Sequence, residues 1–383
     1  MHKINRKLLI AFAILISTYL IGFILFYLTC PRLAIIGRVS KDRFGDQLVI
    51  YSKAKWLSYK YNIPFLLVPF KKSEKLQLFD KEKHCSKLAY NLYPILYSIF
   101  GRYVKVRTEN HITETLQKKW QLPTLFISRI STKLQEHIAY NTDYTNTAWF
   151  SSLLYELTIQ HPDFGAHLKS MLQPKAHIEK LTLPKDKITV AVHIRKGGGF
   201  DPKLASIQYY DTSKYNTEYK EIDISNDNIN NITQIMQHTT KTDRKLIQKQ
   251  EYSDQLWPEK FPPEQYYVEQ IKKLSQILKN KPLYVHIFTD DQHPNTLKKR
   301  IKKAVNSTHI TFACNKHKAS VLQDFFAVTQ FDCLIRASSG FSYFSQVFGN
   351  HKIIIYPIHL TWVKPHILHV NKVGIIKKLI ETK

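Results

Sequence analysis

The stretch "VAVHIRKGGGFD", which starts at Val190, places residues suited to binding an anion at the end of an apolar segment. The uninterrupted apolar run over residues 188–194 is typical of a parallel strand that is covered on both faces. An arginine side chain presents a planar fork of donors that matches two phosphate oxygens and keeps its charge. Backbone amides in a glycine-rich turn can approach an anion closely. The predicted ligands of that anion are His193, Arg195, Lys196, Gly197 and Gly198.

A serine-rich turn, "ASSGFS" at Ala337–Ser342, follows a second apolar segment and precedes a helical pattern. Serine hydroxyls and the free amides of a helix N-terminus attract anions. In an open α/β sheet, ligands bind beyond the carboxyl ends of the strands. We therefore expect Ser338, Ser339 and Ser342 to lie near Arg195. Plainer interpretations stay open: the serines and the Asp290–Asp291 pair would also cap helices, and the glycines would also make a tight turn.

The spacing excludes the two commonest phosphate-binding motifs. No Gly-Lys-Ser/Thr sequence follows the glycines, so the turn is not a Walker A loop, and "GGG" lacks the G-x-G-x-x-G order of dinucleotide-binding folds. The pattern indicates a phosphate-bearing ligand other than those that these motifs bind.

Apolar strands alternate with helical patterns in two parts of the chain. Residues 33–37 and 65–68 are predicted strands on either side of a helical face over residues 50–61, and a strand–helix alternation runs from 188 to 356. Further helices are predicted over residues 90–100 and 149–159. We predict an α/β fold of two Rossmann-like lobes that face a cleft. The polar stretch 202–261 is predicted to be a lid or a disordered insert.

The predicted domains are an anchor at 1–30, a first Rossmann-like lobe at 31–185 and a second Rossmann-like lobe at 186–383 that carries the polar insert. Residues 8–29 contain no charge and are long enough to cross a bilayer. A cleaved signal peptide would have a shorter apolar region and small residues at its end. We therefore favour a single-pass N-terminal anchor in a membrane. Basic residues on both sides of this span leave its orientation open.

The formal net charge of +26 permits nucleic acid, anionic lipid or a phosphate-bearing substrate as partner. The basic residues are scattered, and no zinc finger, basic arm or aromatic RNA-binding motif is present, so we expect no nucleic-acid partner.

The four cysteines lack metal-ligand spacing. Asp290 and Asp291 are adjacent and do not form an Asp-x-Asp pair.

Five segments in order resemble the α1,2-/α1,6-/protein O-fucosyltransferase superfamily. They are "HIRKGG", "FPPEQYYVEQI", "VHIFTDD", "DFFAVTQFDCLIRASSGFS" and "IIIYP". Near the front, "RFGDQLVIYSKAKWLSYKYNI" is similar to the family's Gly-x-Gly-Asn-Gln loop and helix. The resemblance covers most of residues 188–357 outside the polar insert, and about twenty residues near the front.

The resemblance implies a GT-B fold, a GDP-fucose donor, a glycan acceptor, inversion at the sugar carbon and no metal or other cofactor. It implies that Arg195 holds the β-phosphate, that His193 shapes the same turn and that Asp324 contacts the nucleotide. It further implies that Ser338, Ser339 and Phe341 close on the donor phosphates.

The chain departs from the family pattern at several positions. Lys196 replaces a second arginine, Gly198 replaces an aspartate, and Asp46 replaces an asparagine. Asp201 lies three residues after Gly198 and is a candidate substitute for the lost carboxylate. Asp46 and Asp201 are candidate general bases, and a structural role for Asp46 stays open. Another GDP-sugar as donor, and a membrane-anchored non-catalytic module that binds a nucleotide or glycan, are the alternatives.

Overall fold

The computed structural model describes residues 6–37, 43–106, 110–117, 122–128, 158, 160–196, 217–223, 261–316, 319–364 and 367–378. The chain forms two compact units. The first unit contains residues up to 41, residues 50–141 and residues 171–173, and the second contains residues 42–49, 142–170 and 174–383.

The first unit is built on a parallel sheet with strand order β3-β2-β1-β5-β4. Its strands are β1 (Leu33–Gly37), β2 (Phe65–Leu67), β3 (Lys83–His84), β4 (Arg102–Val106) and β5 (Thr124–Ser128). The helices α1 (Arg6–Thr29), α3 (Leu78–Lys81), α4 (Lys87–Phe100) and α5 (Asn110–Leu116) accompany it, with most of α2 (Phe44–Tyr61) and a 3₁₀ turn at Ser73–Lys75. Residues Leu9–Thr29 of α1 form a helix long and apolar enough to cross a membrane.

The second unit contains a mixed sheet with strand order β7-β12-β11-β10-β6-β8-β9. Its strands are β6 (Ile188–Ile194), β7 (Glu218–Asp223), β8 (Leu283–Thr289), β9 (Ile310–Cys314), β10 (Cys333–Ile335), β11 (Ile353–Lys364) and β12 (Ile367–Lys377). The five strands from β11 to β9 are mutually parallel, and β12 runs antiparallel to β11. The helices are α6 (Pro162–Met171), α7 (Glu264–Ile277), α8 (Pro294–Val305), α9 (Val321–Val328) and α10 (Gly340–Phe348).

The predicted α/β class, with two largely parallel sheets after an apolar N-terminal helix, is confirmed. The apolar runs at 33–37 and 188–194 form strands with the predicted bounds. The predicted helix over 90–100 is present as part of α4. The predicted helix over 149–159 lies, apart from residue 158, outside the described residues.

Three predictions about local structure were wrong. The helix expected from Ile50 already begins at Phe44, within the segment that is similar to the family's loop. Part of the polar insert forms β7, which pairs in parallel with β12 and satisfies its backbone there. The final strand does not end at residue 356: β11 runs on to Lys364 and is followed by β12. These last segments are paired by contacts between distant parts of the chain, which local patterns do not encode.

The start of β6 is fixed to the start of β10 by one aspartate. The Asp332 carboxylate oxygen Oδ2 accepts from the Thr189 amide at 3.0 Å and from its hydroxyl at 2.8 Å. The Thr189 hydroxyl in turn accepts from the Asp332 amide at 3.0 Å. Because Thr189 is buried, these bonds compete little with water. They set the register of the two central strands that lead to the site.

Thr189→Val should therefore lower the free energy of unfolding by ~1–3 kcal/mol, because it removes both hydroxyl bonds in a buried place without changing the side-chain shape. Urea unfolding of the full-length chain in a mild detergent measures this. Thr311→Val is the matched control: Thr311 is exposed on β9, and its hydroxyl donates to the Leu283 carbonyl oxygen at 3.2 Å. Equal effects of the two variants would contradict this account of the strand register.

Candidate functional site

A cavity of about 300 Å³ opens in the second unit at the carboxyl ends of its central parallel strands. The chain passes from β6 to β8 and β9 on one side and then returns to β10 on the other side of β6. This is a topological switch point, the place where open α/β sheets bind ligands. The described lining residues are Arg43, Phe44, Gly45, Asp46, His193, Arg195, Phe288, Thr289, Asp290, Asp291, Asn315, Ala319, Val321, Asp324, Ser339, Gly340 and Phe341.

Arg195 enters this cavity directly after β6. The residue is only 8% exposed, and its guanidinium carbon lies 5.3 Å from the centroid of the Phe261 ring. A guanidinium over an aromatic face is attracted by the ring and loses orientational freedom. The side chain is thus both a cavity wall and a cation held against a ring.

His193, the second-last residue of β6, supplies shape and no charge. Burial, followed by the charges of Arg195 and Arg336, lowers the pKa of His193 to about 3. Its ring lies 5.0 Å from that of Phe341. Its Nδ1 is buried and has no hydrogen-bond partner among the described residues. A neutral imidazole at physiological pH therefore borders the cavity, and the positive charge there comes from arginine.

Arg336, which the sequence reasoning missed, is a second cation near the switch point. It is 3% exposed, and its Nε donates to Gln346 Oε1 at 2.7 Å. Its guanidinium carbon lies 4.5 Å and 4.8 Å from the ring centroids of Tyr343 and Tyr356. Burial lowers the pKa of Arg336, but arginine remains charged in proteins.

Two helix N-termini meet at the same cavity through bare backbone. A Cβ atom added to Gly45 would lie 2.5 Å from the Phe341 amide nitrogen, and one added to Gly340 would lie 3.0 Å from the Gly45 carbonyl carbon. Gly45 is in the first turn of α2 and Gly340 begins α10. The Ser339 side chain makes no capping bond to α10. First-turn amides have no partner within their own helix, so both positive helix ends are directed at this region.

Asp290 fixes the backbone next to Arg195. Its Oδ1 accepts from the Lys196 amide at 2.5 Å, and its Oδ2 lies 3.6 Å from a guanidinium nitrogen of Arg43. Asp291 instead accepts from the His293 amide at 2.6 Å and shapes the turn before α8. The alternative expectation that these aspartates cap a helix is not met at α8, whose N-cap residue is His293 and has no side-chain capping bond.

Asn315 is another cavity residue that the sequence reasoning missed. It follows β9, and its side chain exchanges hydrogen bonds with the Thr289 backbone at 3.1 Å and 3.2 Å. Its amide also donates to Asp324 Oδ2 at 2.9 Å. Burial raises the pKa of Asp324 to about 6, although the bond from Asn315 opposes that shift. The sequence feature that could have identified Asn315 is its position as a polar residue directly after the apolar strand β9.

The structure brings together six of the predicted site residues. Those that line the cavity are Asp46, His193, Arg195, Asp324, Ser339 and Phe341. Ser338, Lys196 and Ser342 are absent from its described lining, and Gly197, Gly198 and Asp201 lie outside the described residues. The Ser342 hydroxyl donates to the Ala337 carbonyl oxygen at 3.0 Å and so braces the turn.

The Lys196 ammonium contacts a carboxylate instead of the cavity. Its Nζ lies 2.9 Å from Glu264 Oε1, and Arg300 also binds Glu264 through two nitrogens at 2.7 Å and 3.0 Å. Burial alone would raise the pKa of Glu264, but Arg300 and Lys196 hold it below its ordinary value. Lys196 therefore contacts the cavity lining through its backbone amide, which donates to Asp290. Within the described part of the chain, no group of three or more His, Cys, Asp or Glu side chains is placed to hold a metal ion.

No protein-family model matches this chain, and no curated protein matches it. Solved structures that resemble it include POFUT1 in complex with GDP-fucose, at 12% identity and a TM-score of 0.40, covering 84% of this chain and 95% of that one. A mutant of Arabidopsis thaliana FUT1 in complex with GDP has 12% identity and a TM-score of 0.47, with coverages of 90% and 75%. The fucosyltransferase NodZ from Bradyrhizobium has 11% identity and a TM-score of 0.34, with coverages of 85% and 95%.

Asp324→Asn should change the pH dependence of stability. Because the folded pKa of about 6 exceeds the model-peptide value of 3.8, native stability falls as pH rises from about 4 to 6 and then levels off. The asparagine cannot ionise and still offers Asn315 an oxygen. The unfolding free energy of the variant relative to the wild type should therefore increase over that interval, by up to ~3 kcal/mol.

Urea titrations of the full-length chain between pH 4 and pH 7 provide the measurement. The control Asp186→Asn removes an exposed carboxylate from the same unit and should show a smaller pH dependence. A stability difference for Asp324→Asn that does not vary with pH would contradict the assigned environment.

Proposed function

We propose that the second-unit cavity binds the diphosphate of a nucleotide sugar, and that the protein is a glycosyltransferase. One observation carries this proposal: Arg195 and the first turns of two helices converge on a single cavity at a topological switch point. Each feature alone is a common structural device. Together they provide a fork of charged donors and two sets of backbone amides for one polyanion.

The same donors could stabilise the diphosphate as the leaving group of sugar transfer. When the bond between the sugar and the β-phosphate breaks, negative charge builds up on the departing diphosphate. Donors that are already in place stabilise this charge more in the transition state than in the ground state. We propose that Arg195 and the helix amides perform this role without a metal ion.

The motifs in the sequence favour GDP-fucose as the donor. In this proposal the half-buried Asp324, held by Asn315, accepts hydrogen bonds from the nucleotide. Guanine offers N–H donors that match a carboxylate. His193 and Phe341 pack against each other and form the wall of the turn beside the phosphates.

The acceptor in this proposal is a glycan hydroxyl, which attacks the sugar carbon from the face opposite the diphosphate and inverts it. Such an attack is assisted by a general base near the hydroxyl. Asp46 lines the cavity in the first turn of α2 and is the described candidate for this role. Asp201 remains a predicted alternative.

We also propose that α1 is retained as a membrane anchor. Phe26 is 2% exposed and belongs to the core of the first unit, where its ring lies 5.0 Å from that of Tyr97. The Cys30 side chain is buried in the same core. Removal of α1 as a signal peptide would delete Phe26 from this core and leave Tyr97 with the Tyr93 ring alone.

Arg195→Ala should strongly reduce turnover while the fold is retained. The measurement is release of GDP from GDP-fucose by the full-length chain in detergent, first without an acceptor. Loss of one preorganised donor at a developing charge lowers the rate on the order of 10²–10³-fold. Arg195→Lys, which keeps the charge but not the fork, should retain part of the activity.

Lys299→Ala is the control, because it removes an exposed positive charge on α8 and should leave turnover unchanged. The assay contains EDTA, and activity that requires an added divalent cation would contradict the metal-free proposal. Wild-type turnover by Arg195→Ala would remove Arg195 from the mechanism. A wild-type chain that binds GDP-fucose without releasing GDP would support the non-catalytic alternative.

A further inference from the structure

An exposed apolar stripe runs along α4 in the first unit. The stripe consists of Leu88, Leu92, Ile95 and Ile99, which are 70%, 44%, 57% and 55% exposed. Their spacing of four, three and four residues places them on one face of the helix. The opposite face carries Tyr93, Leu96 and Tyr97, which pack in the core of the unit. Residues 88–101 contain no charged side chain.

Asn91 and Ser98 are exposed on one flank of α4, but the rest of its outer face from Leu88 onward is apolar, which is not suited to water. Helices of this kind are found in protein cores or in membranes, whereas a helix on a soluble surface has a polar outer face. A contiguous exposed stripe of four large aliphatic side chains is the kind of patch that marks an interaction site. The stripe on α4 therefore requires an apolar partner.

The position of α4 against α1 identifies that partner. The Phe100 ring, at the end of α4, lies 5.2 Å from the ring of Tyr19, 6.0 Å from that of Phe23 and 5.6 Å from that of Phe26. A Cβ atom on Gly22 would lie 3.2 Å from Phe100, so a glycine in α1 permits this close approach. The two helices thus contact each other within the apolar span itself.

The depth of this contact follows from helix geometry. Tyr19 to Phe26 lie between ten and three residues before the end of α1 at Thr29, which corresponds to roughly 5–15 Å along the helix axis. If α1 spans the bilayer, the end of α4 is held below the membrane surface. At the end of the span, the Arg32 guanidinium lies 5.2 Å from the Tyr27 ring, a pairing suited to the headgroup layer.

We infer that α4 is a second membrane-contacting element, which inserts the stripe of Leu88, Leu92, Ile95 and Ile99 into the lipid beside α1. The exposed Lys83 and Lys87 precede the stripe and would meet anionic headgroups. In this arrangement both α1 and α4 attach the first unit to the bilayer. This inference rests on the proposed membrane anchor and does not depend on the proposed transferase chemistry.

Nitroxide scanning of the full-length chain tests this inference. Cysteine is introduced in separate variants at Leu92, Ile95 and Ile99, labelled with a nitroxide and reconstituted in vesicles of phosphatidylcholine and phosphatidylglycerol. The collision rates with oxygen and with the water-soluble complex NiEDDA are measured. The wild-type chain, labelled in parallel, gives the background from its own cysteines. Oxygen collisions should exceed NiEDDA collisions at all three positions.

Two further positions serve as references. Lys75→Cys is exposed in the same unit away from α4 and should favour NiEDDA, and Ile14→Cys is exposed in α1 and should favour oxygen. NiEDDA-dominated collisions at 92, 95 and 99 would overturn the inference. Low collision rates with both reagents would also overturn it, because they would indicate a protein partner or a second copy on the stripe. An aqueous signal at residue 14 would show that the anchor itself is wrong.

Discussion

The contact between the Gly45 and Gly340 backbones is the constraint on which the proposed site depends. An added Cβ at Gly45 would collide with the backbone at Gly340 and Phe341, and one at Gly340 would lie only 3.0 Å from the Gly45 carbonyl carbon. Two helix starts that are nearly three hundred residues apart in sequence can therefore touch. In the proposed site, their first-turn amides and Arg195 together offer several donors to one anion. The electrostatics of the cavity follow from this packing as much as from the arginine itself.

Several acidic residues in and near the cavity have structural partners of their own. Asp290 binds the Lys196 amide and lies near Arg43, and Glu264 binds Lys196 and Arg300. Asp324 is held by Asn315 and has a raised pKa because of burial. Arg336 sits between two tyrosine rings and keeps its charge close to β6. The arrangement leaves Arg195 as the cavity cation that stacks on an aromatic ring, at the end of the central strand.

The sequence alone predicted the parts of the site that depend on local patterns. The apolar run of β6 gave the place of Arg195, and the serine turn gave the start of α10. The expectation that ligand-binding residues lie beyond the carboxyl ends of the strands followed from the alternation of strands and helices, whereas the strand order that makes the switch point did not. The sequence could not predict the contact of Gly45 with Gly340 or the hydrogen bonds of Asn315. It also could not predict that Arg336 lies against the rings of Tyr343 and Tyr356. Each of these depends on segments far apart in the chain, and its local signal is a single ordinary residue.

The same distinction applies to the fold. The final hairpin and β7 went unpredicted because β12 pairs with both β11 and a polar segment whose composition resembles that of a loop. The helix α4 was predicted from its composition, but the exposure of its outer face is visible only once the inner face is seen to pack in the core. Local sequence patterns predicted well which segments form buried strands. They did not predict which other segment each strand or helix packs against.

Calorimetric titration of the full-length wild-type chain with GDP, GMP and guanosine tests the central claim most directly. If the β-phosphate meets Arg195 and the two helix N-termini, GDP should bind at least tenfold more tightly than GMP, which corresponds to ~1.4 kcal/mol. Guanosine should bind more weakly than GMP. Equal affinities for GDP and GMP would show that no diphosphate is held where the two glycines meet.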